Sequence, residues 1–169
     1  YITARREMGF LVPSKGYEYA TIKGHKCAII VGDDLSRERD FDQSVETVIS
    51  INARKYGKGT MTYRYEMMRN LAFVESKNLV LVNQVGGSTD IVYDGTSGAL
   101  NSRGELVLMM KNFEEDFQIF DTKASARPIT IPSTYNDRTR LVYEAARCGL
   151  RDFFRKNGYR KASIGLSGG

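Results

Sequence analysis

Residues 165–169 read Gly165-Leu166-Ser167-Gly168-Gly169 at the end of a short apolar run. Glycines so spaced let a backbone take positive φ and turn successive N–H groups toward one anion. A helix N-terminus that follows adds a positive end. The chemistry is that of a phosphate cradle. A plain turn at a strand end predicts Ser-Gly-Gly equally well, so context must decide. The two cysteines are weaker candidates, because Cys27 sits in an apolar run and Cys148 in an apolar helical pattern. A buried cysteine of that kind is usually a small hydrophobe. His25 falls in the polar stretch 23–26, read as a solvated turn, and is assigned no role. Met61, Met67 and Met68 lie near helical spacing and read as packing.

Composition narrows the classes. The chain has 169 residues, 41% hydrophobic and 27% charged, which suits one globular domain with a core and is too little for two. Its apolar runs fall well short of the ~18 residues a membrane helix needs. Two cysteines and one histidine exclude a Cys/His zinc cluster, give no metal-binding residues, and suit a reducing compartment such as the cytoplasm. The net charge of +5 is compatible with an ordinary solvated surface and with anionic ligands. No basic stripe with interleaved aromatics points to nucleic acid.

The elements that must position these residues are mixed α/β. Residues 17–22 and 27–31 read as strands about a turn at 23–26, and 45–51 as a third. Residues 60–76 form a helix capped by Thr60 or Thr62, with Met61, Tyr65, Met68, Leu71, Ala72 and Glu75 at helical spacing. Residues 78–83 are a dense Leu/Val strand. Strands at 91–93 and 96–100 lead through a turn at 101–104 to strands at 105–110 and 117–120. Residues 125–136 carry two prolines and read as a linker. Residues 137–157 form an amphipathic helix whose apolar face is Leu141, Val142, Ala145, Ala146, Leu150, Phe153 and Phe154. It ends at Asn157-Gly158. Residues 162–166 are a last strand. Starting without a methionine and ending at Ser-Gly-Gly, the chain reads as a window on a longer protein.

That last helix, its ending Arg-Asp-Phe-Phe-Arg-Lys-Asn-Gly-Tyr, the short strand and Gly-Leu-Ser-Gly-Gly together resemble the start of the ATP-pyrophosphatase domain of NAD synthetases. Upstream, Val82-Asn83-Gln84-Val85-Gly86-Gly87 and Val92-Tyr93-Asp94-Gly95-Thr96-Ser97 resemble the nitrilase-like amidase domain that glutamine-dependent NAD synthetases carry first. Asn112-Phe113-Glu114-Glu115-Asp116 resembles that domain's closing stretch. The resemblance implies the C-terminal part of a layered α-β-β-α nitrilase-like sandwich over 1–124, a linker over 125–136, and the first helix and strand of a Rossmann-like ATP-binding domain over 137–169.

The same resemblance implies a ligase that amidates nicotinic acid adenine dinucleotide to NAD with ATP, magnesium and ammonia drawn from glutamine. It implies a homo-oligomer acting on small molecules, without nucleic acid or membrane. Gly165, Leu166, Ser167, Gly168 and Gly169 would hold the pyrophosphate of ATP. A nitrilase-type amidase uses a Glu–Lys–Cys trio, the thiolate attacking the amide carbon. Here the family's apolar-apolar-C-E-D pattern reads Ile30-Val31-Gly32-Asp33-Asp34, so Gly32 stands where the nucleophile belongs, with Asp33 and Asp34 after it. Cys27 is five residues earlier, ~16 Å along a strand and on its other face, and cannot substitute. The Glu and Lys would fall before residue 1. Tyr1 matches the family's glutamine-contacting tyrosine. Lys58 matches the lysine of its N-A-S-P-Y-x-x-G-K motif, in which Arg54 replaces a glutamine-binding serine. Two other readings follow: an ammonia-dependent synthetase with a silent amidase-like domain, and a nitrilase-like assembly module without chemistry.

Overall fold

The computed structural model describes residues 17–32, 41–123 and 127–168. Its frame is a six-stranded mixed sheet. Strand β1 (Glu18–Ile22) turns at Lys23-Gly24 into β2 (His25–Val31), which runs parallel to β3 (Thr47–Asn52) and, beyond it, to β4 (Asn78–Asn83). Helix α1 (Thr60–Glu75) makes the crossover from β3 to β4, as a parallel pair requires. A separate hairpin follows, β5 (Val85–Ser88) with β6 (Ile91–Asp94). The chain then rejoins the sheet beside β4 as β7 (Gly98–Leu100) and β8 (Leu106–Met109). After a 3-10 turn at Ser133–Tyr135 comes α2 (Arg138–Asn157), which packs on the β5–β6 hairpin.

The period-two alternation of the strands decides the faces. Ala28, Val48, Leu79 and Leu100 form one cross-strand row, and Ile30, Ser50, Leu81 and Gly98 the next. This face is buried under Met61, Tyr65, Met68, Leu71 and Ala72 of α1, the stripe the sequence marks. The other face is apolar and open: Val31, Ile51 and Val82 remain nearly half exposed.

Several expectations are corrected. The first helix is not capped by threonine: Gly59 holds the N-cap in the left-handed region, and the Thr60 hydroxyl instead donates to the Gly57 carbonyl. His25 begins β2 instead of sitting in the turn, its Nδ1 2.9 Å from a Glu46 carboxylate oxygen. Residues 117–120 form no strand, because the Asp116 carboxylate accepts the Lys111 and Phe117 N–H groups and turns the chain away from a pairing edge. Residues 162–166 form no strand either, since no strand among the described residues lies alongside to complete their ladder. Residues 127–136, read as a linker, are seated: Ile129 N–H donates to the Leu106 carbonyl, and Ile131 and Tyr135 pack on the main core. Helix α2 buries Ala145, Cys148 and Asp152, while Val142, Leu150 and Phe153 of its expected apolar face stay at least half exposed.

One buried ion pair pins α1 to the end of the β5–β6 hairpin. Arg64, 1% exposed, donates from both terminal nitrogens to the two carboxylate oxygens of Asp94 at 3.2 and 2.9 Å. Removing one partner would leave the other charge uncompensated. Arg64→Met is therefore expected to cost about 3–5 kcal/mol, seen as a lower urea midpoint, and adding Asp94→Asn should recover part of that loss. Gly98 is the tightest point of the core. A methyl there would fall 2.5 Å from the Leu108 carbonyl oxygen and 2.6 Å from the Tyr65 hydroxyl. Gly98→Ala is expected to destabilise by about 1–3 kcal/mol, with the urea midpoint falling at an unchanged slope.

Candidate functional site at the strand ends

The carboxyl ends of β2, β3 and β4 lie side by side, where open α/β sheets place their ligands. Gly32 closes β2, Asn52 closes β3 and leads to residues 53–58, and Asn83 closes β4. Gly32 has φ +64, and a Cβ built on it meets nothing within 4 Å. A side chain there would enter open space from a backbone that only glycine adopts cheaply. It carries none, so the position that the resemblance gives to the nucleophile holds no nucleophile.

Asn83 organises the neighbouring loops. Its side-chain oxygen accepts the Arg54 N–H at 2.9 Å, and its Nδ2 donates to Asp94 Oδ1 at 2.9 Å and to the Gly95 carbonyl at 3.0 Å. Its own backbone N–H donates to Ser97 Oγ at 2.9 Å. Gln84 N–H donates to the Asn52 carbonyl, and Tyr56 N–H to the Val92 carbonyl at 2.7 Å. Thr96 takes φ +51 in a fully buried turn, its carbonyl accepting from the Tyr65 hydroxyl. Burial pushes the Tyr65 phenol up, so it stays a proton donor. Asn52 donates to Ser50 Oγ at 2.8 Å, while its Oδ1 is buried without a partner. The motif residues Asn83, Asp94, Gly95, Thr96 and Ser97 thus hold the strand ends together.

The remaining candidates divide. Lys58 is exposed in the turn before α1, close in sequence to the strand-end loop but not drawn into its network. Gly165, Leu166, Ser167 and Gly168 are exposed in irregular chain beyond α2, and a Cβ on either glycine would touch nothing. They are not brought to the strand ends. Tyr1, Asp33, Asp34 and Gly169 lie outside the described residues. Cys27 is 5% exposed at the far end of β2, its thiol pushed up by burial and then by Glu46. Cys148 is 1% exposed under α2, its thiol likewise raised by burial. Neither has the lowered pKa that a reactive thiol needs.

Sequence reasoning missed Arg64 and Asp152. Both stand on the buried stripe of their helices, Arg64 beside Met61, Tyr65 and Met68, Asp152 beyond Ala145 and Cys148. A charged residue at stripe spacing was the available signal, since it must find a partner inside.

No family model matches the chain. Among curated proteins it is 28% identical over 164 residues to the glutamine-dependent NAD(+) synthetase of Acinetobacter baylyi, with 92% of this chain and 30% of that protein covered. It is 29% identical over 170 residues to the enzyme of the same name from Synechocystis, covering 90% of this chain and 30% of that protein. The chain therefore spans under a third of the length of these curated relatives. Among solved structures, the glutamine-dependent NAD+ synthetase of Acinetobacter baumannii in complex with ADP superposes at a TM-score of 0.72 and 25% identity. That match covers 90% of this chain and 30% of the other. A carbon-nitrogen hydrolase from Helicobacter pylori, 18% identical at a TM-score of 0.55 over 66% of this chain and 45% of its own, shares the fold. In sequence and in partial nitrilase-like fold, then, this chain is a relative of the glutamine-dependent NAD synthetases along about nine-tenths of its length.

Proposed function

We propose that this chain spans the junction of a two-part NAD synthetase. Residues 1–124 are the closing part of the amidase-like domain, 125–136 the connection, and 137–169 the opening of the ATP-binding domain. The whole protein is a ligase that forms a C–N bond. The carboxylate of nicotinic acid adenine dinucleotide attacks the α-phosphorus of ATP and expels pyrophosphate. Ammonia then attacks the acyl carbon, AMP leaves, and NAD results. What carries this reading is the similarity to glutamine-dependent NAD synthetases, which covers 92% of this chain in sequence and 90% in structure.

Gly165, Leu166, Ser167, Gly168 and Gly169 are the residues assigned to the pyrophosphate, through backbone N–H groups and the Ser167 hydroxyl. Such a cradle works only when neighbouring backbone fixes its shape. Magnesium would accompany ATP and offset the charge of its phosphates. Among the described residues no group of three His, Cys, Asp or Glu side chains is placed to hold a metal ion. Tyr1 and Lys58 are the glutamine-binding candidates. No helix among the described residues is long and apolar enough to cross a membrane. A cytoplasmic homo-oligomer acting on small molecules completes the proposal.

One observation favours a second reading of the amidase half. With Gly32 at the nucleophile position no thioester forms there, so the synthetase half draws on free ammonia and the first domain serves as scaffold. The full-length protein is assayed for NAD with ATP and either ammonium or glutamine. NAD from ammonium alone, with no glutamate released, is the expected result. Turnover on glutamine would place the nucleophile elsewhere, and silence with both donors would sink the synthetase reading. Gly32→Cys tests the site itself. It should cost about 1–2 kcal/mol in stability from the left-handed backbone and should not by itself release glutamate. Strong glutaminase activity in that variant would show that Arg54 does not matter.

A further inference from the structure

The stripe that α2 lays on the hairpin begins with apolar and small residues, Leu141, Ala145 and Cys148, and ends on Asp152, 3% exposed. Apolar packing does not call for a carboxylate there. Its Oδ2 accepts the Gly87 N–H at 2.8 Å, and its Oδ1 the Arg151 Nε–H at 3.0 Å. Burial alone would push the Asp152 carboxyl up, yet these donors outweigh it and hold it below the usual range. The Lys156 ammonium donates to the carbonyl of the same Gly87. Both backbone groups of one residue are therefore held by side chains of α2.

Three glycines make that approach possible. A Cβ on Gly86 would lie 2.8 Å from Asp152 Oδ2, one on Gly87 3.0 Å from Gly149 Cα, and one on Gly149 3.0 Å from Val92 Cγ2. The hairpin has two strands only, which is marginal in water unless something packs on it. Its opposite strand in turn holds the 53–58 loop at Lys55 and Tyr56, through Tyr56 N–H to the Val92 carbonyl and the Lys55–Tyr93 bridge, while the Tyr56 ring sits edge-on to Phe113 at 5.2 Å.

We propose that Asp152 and Lys156 form a two-point latch on Gly87. Through it α2 fixes the hairpin, and through the hairpin the 53–58 loop beside the strand-end site. Asp152 is thus a positioning residue. That the latch ties this site to a nucleotide-binding domain rests on the function proposed above; the latch itself does not.

Amide hydrogen exchange on the 169-residue chain tests it. Asp152→Ala should speed exchange at residues 85–94 and 53–58 about tenfold, the loss of one buried hydrogen bond, and leave β2, β3 and β4 protected. Asp152→Asn keeps an oxygen acceptor for Gly87 and should restore most of the protection. Asp152→Leu fills the space without an acceptor and should exchange as fast as the Ala variant; a protected Leu variant would overturn the latch. If Asp152→Ala loosens the whole chain, Lys156→Ala reads the second point, with faster exchange confined to 85–94. Unchanged exchange in Asp152→Ala, an Asn variant as fast as the Ala variant, or a silent Lys156→Ala beside a globally loosened Asp152→Ala overturns the latch. None of these readouts needs nucleotide, so failure of the NAD assay leaves them standing, and the reverse holds too.

Discussion

Two charges taken out of water, Arg64 and Asp94, constrain everything around them. A buried ion is tolerated only when its partner meets it with good geometry, and here the guanidinium meets the carboxylate along both edges. Asp94 is also the last residue of β6 and accepts from Asn83, the last residue of β4. One pair therefore ties the crossover helix, the end of a central strand and the exit of the hairpin into one unit. The loops at the strand ends take their positions from that unit.

This explains why the stretches that resemble an amidase so closely contain so little chemistry. The Asn-Gln-Val-Gly-Gly run supplies a side chain that bonds two neighbouring segments, at Arg54 and at Asp94-Gly95, and two glycines that let a helix come near. The Asp-Gly-Thr-Ser run supplies the buried carboxylate, a left-handed turn and a hydroxyl for the Asn83 amide. They build the frame that holds the strand-end loops together. At Gly32 the backbone bends at φ +64, and a Cβ there would meet nothing within 4 Å.

What could be read from residues alone follows how local the cause was. The apolar strands 27–31 and 78–83, the turn at 101–104, the stripe of α1, and α2 with its ending at Gly158 depend on local pattern and on single residues, and the structure has them. The runs at 117–120 and 162–166 are as apolar as true strands, but a strand exists only beside another. Whether a neighbour is present is not written in the run. The β5 strand, half glycine, carried no strand signal, because its pairing comes from the hairpin and its support from α2.

By itself the sequence determined the alternation of helix and strand and the kinship, since periodicity and residue identity are properties of the chain read in order. Only the tertiary structure decided that Arg64 and Asp94 meet, that Asp152 reaches Gly87, that the supposed linker lies on the core, and which face of α2 is buried. Those depend on which distant groups come together. A charge on an apolar stripe announces that it needs a partner, but the partner lies 30 residues away in one case and 65 in the other. Nothing short of the folded packing brings them within hydrogen-bond reach.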